Sequence, residues 1–161
     1  MKQSPITKPR AIVAVINDLV TDQRVARTCD TLTSQGYKVE LVGRRLPHSL
    51  ALQARAYHCY RMRLCFTKGP LFYLFFQIRL LLFLLFKPKA QLYYANDLDT
   101  LLPIYLIAKL KGGSVIYDSH ELFTEVPELL NSPFKRKVWL SLERFLVPKV
   151  DAMITVNQSI A

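Results

Sequence analysis

Apolar and polar positions alternate along this chain in two rhythms. Residues Ala11 to Ile16 form an unbroken, mostly β-branched apolar run of strand length, the pattern of a parallel strand covered on both faces. Thr21 or Asp22 then offers an N-cap, Val25, Ala26, Cys29 and Leu32 recur at helical spacing, and Gly36 stands where a left-handed C-cap is needed. Lys38 to Gly43 predicts a second strand, which closes a strand-helix-strand unit of about thirty-five residues, the size of a right-handed crossover. The pattern then repeats. Tyr57 to Met62 predicts a strand, Pro70 to Phe86 a helix opened by proline, Gln91 to Ala95 a strand, Asp99 to Lys111 a helix stopped by Gly112 and Gly113, and Ser114 to Asp118 a strand.

A less regular segment containing Pro127 and Pro133 follows. Val138, Leu142, Phe145 and Leu146 then mark one face of a helix over Phe134 to Val147, which Pro148 ends. Ala152 to Val156 predicts a last strand, and Asn157 or Ser159 caps a helix whose body is missing at Ala161. Together these elements predict an α/β, Rossmann-like, doubly wound and mostly parallel sheet of about six strands. Its expected core includes Val13, Val15, Val39, Leu41, Tyr94, Val115, Ile116, Met153 and Ile154. Length and apolar content allow one domain over residues 1–161, expected to stop inside a larger fold.

Charge changes the picture more than bulk composition does. The net charge is +10, and no acid occurs between Glu40 and Asp97. Arg44, Arg45, Arg55, Arg61, Arg63, Lys68, Arg79, Lys87 and Lys89 all fall in that window, so one region of the surface should attract anionic lipid or phosphate. Nucleic acid is not expected as a partner, because no nucleic-acid module matches. Leu71 to Phe86 is apolar all round apart from Gln77 and Arg79, so it is either buried or in contact with lipid. It is shorter than the roughly 20 apolar residues a span requires. Lys68 before it and Lys87 and Lys89 after it favour contact with an anionic membrane interface. The first apolar run is too short for a secretory leader, and Cys29, Cys59 and Cys65 form no C-x-x-C pair, which points to a reducing, cytoplasmic setting.

Candidate chemistry lies at the carboxyl ends of predicted strands, where open parallel sheets bind ligands. The first loop, Asn17-Asp18-Leu19-Val20-Thr21-Asp22, has no glycine, and its aspartates would repel a pyrophosphate, so a dinucleotide site of the G-x-G-x-x-G type is not expected. Asn17 and Asp18 are candidate substrate-binding residues there, although capping and loop geometry explain the aspartates equally well. Asn96-Asp97-Leu98-Asp99 and Asp118-Ser119-His120-Glu121 end the fourth and fifth strands. Pure packing needs no carboxylates at such places. Asn96, Asp97, His120 and Glu121 are therefore site candidates, with Asp118 or Glu121 able to hold the His120 ring. His48, His58 and His120 show no ligand spacing, so no metal is expected.

The stretches NDLVTDQRVARTCDTLTSQGYKVELVG at 17–43, YYANDLDTLLPIYLIAKLKGGSVIYDSHELFTEVPEL at 93–129 and DAMITVNQSIA at 151–161 resemble the N-terminal domain of retaining glycosyltransferases of family 4. The resemblance implies one half of a GT-B fold, in which this half receives the acceptor and a C-terminal half holds the nucleotide-sugar donor. It implies His120 beside the donor sugar, Glu121 as its companion, and Asn96 and Asp97 on the acceptor side. It further implies retaining transfer from a nucleotide-diphosphate sugar to a glycan or lipid-linked acceptor at the inner membrane face, with no cofactor. The donor-side E-x7-E motif belongs to the other half, which must come in cis or in trans, so the isolated chain is expected to be inactive. The alternative is a non-catalytic, membrane-associated module that partners a separate donor-binding subunit.

Overall fold

A computed structural model of the chain describes residues 8–120 and 131–155. The strands are β1 (Arg10–Asp18), β2 (Lys38–Arg45), β3 (His58–Arg63), β4 (Leu92–Asn96), β5 (Ser114–Ser119) and β6 (Ala152–Thr155). The helices among the described residues are α1 (Gln23–Ser34), α2 (Gly69–Leu85), α3 (Leu98–Lys111) and α4 (Pro133–Leu146), the last followed by a 3-10 turn at Val147–Lys149. The strands form one sheet in the order β3-β2-β1-β4-β5-β6, and every neighbouring pair is parallel. This is the expected Rossmann-like α/β sheet, with strand order reversing between β1 and β4.

Strand β1 explains why its sequence is apolar without a break. Ala11, Val13 and Val15 pack with Val25, Cys29 and Leu32 of α1, whereas Ile12, Ala14 and Ile16 join Phe76, Leu80 and Leu101 in the α2–α3–α4 layer. Both faces are therefore buried, and alternation disappears. Helix α1 is closed at its start by Asp22, whose Oδ1 accepts from the Val25 N–H at 3.1 Å. Gly36 and Gly112, at φ 90° and 71°, turn the chain out of α1 and α3 in the left-handed region.

Helix α2 buries Phe72, Phe76, Leu80 and Leu84, one residue per turn, against α3 and the sheet. Its two polar residues divide. Arg79 faces solvent, whereas Gln77 donates from Nε2 to the Asp99 carbonyl at 2.6 Å. That carbonyl is the one Pro103 leaves without its normal i+4 N–H partner inside α3, so the pairing lets α3 carry an internal proline. At the other end Lys111 Nζ donates to the carbonyls of Leu84 and Leu85 at 2.8 and 2.9 Å, which ties the C-terminus of α2 to α3. The opposite face of α2 exposes Leu71, Leu74, Ile78, Leu82, Leu85 and Phe86.

Three expectations need correction. Met153 and Ile154 are 39% and 44% exposed, and Ile116 is only partly buried, because β6 is the edge strand and no described helix covers it. The inward face of α4 is Trp139, Leu142 and Leu146, with Trp139 edge-on to Tyr73 at 5.5 Å. Val138 and Phe145, assigned to that face by periodicity, are exposed, because the wide apolar arc of α4 exceeds what α3 can cover. Helix α2 is neither fully buried nor free of the core, since its apolar surround is split between the two environments.

Most of the sheet is dry, and Glu40 is the exception on its interior. It is 5% exposed, pairs with Arg10 from β1 and lies 2.9 Å from Lys87 Nζ, which also sits 3.5 Å over the Tyr60 ring. Burial acts to raise its pKa, but the Lys87 hydrogen bond and the Arg10 and Lys87 charges outweigh burial and hold it below its ordinary value of 4.5. A depressed carboxylate contributes stability above its unfolded pKa, and that stability is lost as pH falls through the folded one. Glu40→Gln is therefore expected to lower urea stability at pH 7 by about 1–3 kcal/mol, with the deficit closing on acidification. A deficit that is constant with pH would contradict the ionic role of Glu40.

Candidate functional site

Polar burial concentrates at one edge. Asp18, Asn96, Asp99, Thr100, Asp118 and Ser119 are buried at the carboxyl ends of β1, β4 and β5 and in the first turn of α3. The switch point between β1 and β4 creates this place, because loops leave the two strands in opposite directions and open a crevice between them.

Asn96 closes the base of that crevice. It is 1% exposed, and its Nδ2 donates to the Ala14 carbonyl at 2.9 Å, which stitches β4 to β1 one residue beyond the Ala14–Ala95 pairing. Asp97 follows with φ 64° and ψ 164°, the only non-glycine residue with positive φ among the described residues. This backbone region is essentially reserved for glycine and costs an ordinary residue about 1–3 kcal/mol. The surroundings impose it. The Asp97 N–H donates to the Asp118 carbonyl at 2.9 Å, its carbonyl accepts from Thr100 Oγ1 at 3.2 Å, and its Oδ1 accepts from the His120 N–H at 3.3 Å.

His120 lies just beyond β5 and is half-buried between two carboxylates. Its Nδ1 is 3.2 Å from Asp118 Oδ1 and its Nε2 is 3.6 Å from Asp97 Oδ2. Neither approach has hydrogen-bond alignment, and both ring nitrogens are buried without a hydrogen-bond partner among the described residues. Asp118 is itself oriented by Tyr94, whose hydroxyl donates to Oδ2 at 2.7 Å. Burial, then the bond and charge of Asp118, push the Tyr94 pKa upward, so the phenol keeps its proton. Arg24 of α1 reaches within 3.8 Å of Asp118 Oδ1.

On the β2 side of the switch point the first loop is packed down. Gly43 permits this, since a Cβ there would stand 2.5 Å from the Leu19 side chain and 2.9 Å from the Asn17 carbonyl. Asp18 is 6% exposed and holds Arg61 at 3.1 Å, the Val20 N–H at 3.1 Å and the Ser49 hydroxyl, while Arg55 donates to the Leu19 carbonyl at 2.8 Å. The N–H groups of Val20, Thr21 and Val25, which a phosphate would need, are already taken by Asp18 and Asp22. Asp18 thus serves the scaffold. Asn17 remains exposed, with its Nδ2 donating to Asp22 at 3.1 Å, and lines an open cavity with Asp22, Arg24 and Arg44.

The expected residues therefore separate into two groups. Asp97, Asp118 and His120 form one cluster, Asn96 anchors it, and Asn17 and Asp18 belong to the neighbouring loop. Glu121 lies outside the described residues. Arg24 and Tyr94 were not expected. No local motif marks them, because each reaches Asp118 only through sheet and helix packing.

The sequence profile of glycosyltransferase family 4 matches residues 22–161. The chain belongs to glycosyltransferase family 4. Sucrose-phosphate synthase from Thermosynechococcus elongatus is similar in structure, with a TM-score of 0.65 over 91% of this chain and 42% of that one, at 14% identity. A second structure of that synthase, a shorter chain, gives a TM-score of 0.59 at 12% identity, covering 93% of this chain and 77% of that one. No curated protein sequence matches. At these identities the likeness concerns the fold, and it agrees with the N-terminal, Rossmann-like half of the GT-B type. The chain spans less than half of the first synthase structure.

The Asp97 backbone carries a direct test. Asp97→Gly and Asp97→Ala both remove the carboxylate, but only glycine accepts the imposed φ without strain. Asp97→Gly is expected to be more stable than Asp97→Ala by about 1–3 kcal/mol in urea unfolding. Equal stabilities would mean that the position holds no strain.

Proposed function

We propose that this chain is the acceptor-side half of a retaining glycosyltransferase. It would serve transfer of a sugar from a nucleotide-diphosphate sugar to a hydroxyl of a glycan or lipid-linked acceptor at the cytoplasmic face of a membrane. The observation that carries the proposal is His120, held between Asp97 and Asp118 at the switch point with both ring nitrogens buried and lacking a hydrogen-bond partner among the described residues. A donor-binding half, in cis or in trans, would close over this edge and bring the donor sugar to the imidazole. There His120 would offer a hydrogen bond to the sugar or its leaving phosphate as charge develops on it. Asp97 and Asn96 would shape the acceptor side, and Asn17 would lie where the acceptor enters. Glu121 is the proposed companion of His120.

The membrane part of the proposal rests on α2 and on the cations around it. The exposed residues Leu71, Leu74, Ile78, Leu82, Leu85 and Phe86 follow one side of the helix for about 22 Å. No helix among the described residues is long and apolar enough to cross a membrane. An apolar stripe on a helix otherwise packed against the fold suits a surface that lies in the interface. Arg79 on the same helix and Lys89 just beyond it are exposed and placed to meet anionic headgroups.

The two parts are tested separately. In a two-domain enzyme with a donor-binding half supplied, His120→Ala is expected to lower turnover by about tenfold or more with the thermal midpoint nearly unchanged. An unchanged rate at full stability excludes a catalytic role for His120. The chain is expected to sediment with anionic vesicles and to be released as salt rises past the range where the Debye length is about 8 Å. Equal recovery on neutral vesicles would remove the electrostatic contribution.

A further inference from the structure

The acid-free basic window does not act as one surface. Arg55 is used on the Leu19 carbonyl and the Tyr57 hydroxyl, Arg61 on Asp18 and the Leu50 carbonyl, and Lys87 on Glu40. Arg44, Arg45 and Arg63 are different, since no described carboxylate pairs with any of them. They stand at the carboxyl ends of β2 and β3, where Arg45 and Arg63 are direct register partners. Like charges placed opposite each other on adjacent strands destabilise a sheet unless something neutralises them.

These three arginines line an open cavity of about 360 Å³ together with Thr67 and an apolar wall that includes Leu64, Phe66 and Phe72. Arg44 lies with its guanidinium 5.0 Å from the Phe72 ring centroid, and its buried Nε has no hydrogen-bond partner. Phe72, in the first turn of α2, forms part of the same wall, and no side chain caps that turn. Arg44 and Leu46 also line the neighbouring cavity of Asn17, Asp22 and Arg24, and Arg24 reaches within 3.8 Å of Asp118. A cavity lined by three arginines with aromatic wall beside them fits an anion attached to an apolar chain. A bare anion has no use for the aromatic wall.

We propose that the cavity of Arg44, Arg45 and Arg63 is the subsite for the phosphate of a phosphate-bearing lipid acceptor, whose chain follows Phe66 and the outer stripe of α2. The proposal rests on the glycosyltransferase reading for the word acceptor, but not for the binding itself. Guanidinium forks match phosphate oxygens in bidentate geometry. With the phosphate held there, the headgroup hydroxyl extends through the groove past Arg44 toward Asn17 and the switch point. The lipid chain stays on the face that meets the membrane.

Calorimetry on the full chain tests binding with two soluble probes, monomeric dihexanoyl phosphatidic acid and inorganic phosphate. The lipid phosphate is expected to bind at least about tenfold more tightly than inorganic phosphate, because only the former uses the apolar wall. The variant Arg44→Gln/Arg45→Gln/Arg63→Gln is expected to lose at least about tenfold in that affinity. Arg27→Gln/Lys38→Gln/Lys109→Gln, which removes equal charge at exposed positions elsewhere, is expected to stay within about twofold of the parent. Equal losses in the two variants would reduce the site to diffuse attraction, and equal binding of both probes would reduce it to a free-anion site; either result overturns the proposal. Arg63→Gln alone, at an exposed position, gives the same comparison if the triple variant is unstable.

In the two-domain enzyme the pocket variant is expected to raise KM for a phosphate-bearing lipid acceptor while kcat is nearly kept. Undiminished transfer in that variant overturns the subsite and leaves the glycosyltransferase reading intact. Arginine-dependent lipid binding without any sugar transfer supports the subsite and counts against the enzyme.

Discussion

Burial of β1 on both faces is the constraint on which the rest of the molecule depends. A parallel strand with α1 on one side and the α2–α3–α4 layer on the other carries no polar side chain between Ala11 and Ile16. Polar chemistry is therefore driven to the carboxyl edge, where β1 and β4 part. Asn96 marks the transition, with one amide nitrogen bound to the Ala14 carbonyl and the next residue already turned into the crevice. The Asp97 backbone can occupy a glycine-like conformation because the Asp118 carbonyl, Thr100 and the His120 N–H all hold it there. Strain at this point is thus supported by the same strand ends that present the imidazole.

The same economy governs the cations. A chain of net charge +10 must either pair its arginines internally or leave them to solvent and ligands. Arg55 and Arg61 fasten the glycine-free first loop onto the sheet, taking the role that close backbone packing plays where glycine is present. Their consumption makes the remaining arginines distinctive. Arg44, Arg45 and Arg63 are gathered at one edge by strand register and left without a carboxylate among the described residues. Helix α2 links this edge to the apolar outer surface, since Phe72 faces the cavity and Leu71 faces solvent.

Membership of glycosyltransferase family 4 and likeness to a sucrose-phosphate synthase structure agree with this architecture at the level of fold. Chemistry within that fold depends on which side chains the switch point presents. Here His120 sits between Asp97 and Asp118, with Tyr94 behind the second carboxylate, and its two buried ring nitrogens make no aligned hydrogen bond among the described residues.

Element order was legible in the sequence because its causes are local. Apolar runs, the Asp22 cap, the Gly36 and Gly112 exits and Pro148 act within a few residues, and the strands and helices fall within a residue or two of their expected bounds. The position of His120 was legible for the same reason, since the residue after a buried strand must emerge at the sheet edge. Tertiary structure alone decided the roles within that edge. Asp18 became a scaffold residue through Arg61, 43 positions away, and Asp118 acquired Tyr94 from 24 positions upstream. It also decided that β6 and half of α4 stay exposed, and which arginines remain unpaired. The physical reason is that a side chain's charge and apolar surface are read from its own residue, but its partners are chosen by strand register and helix packing.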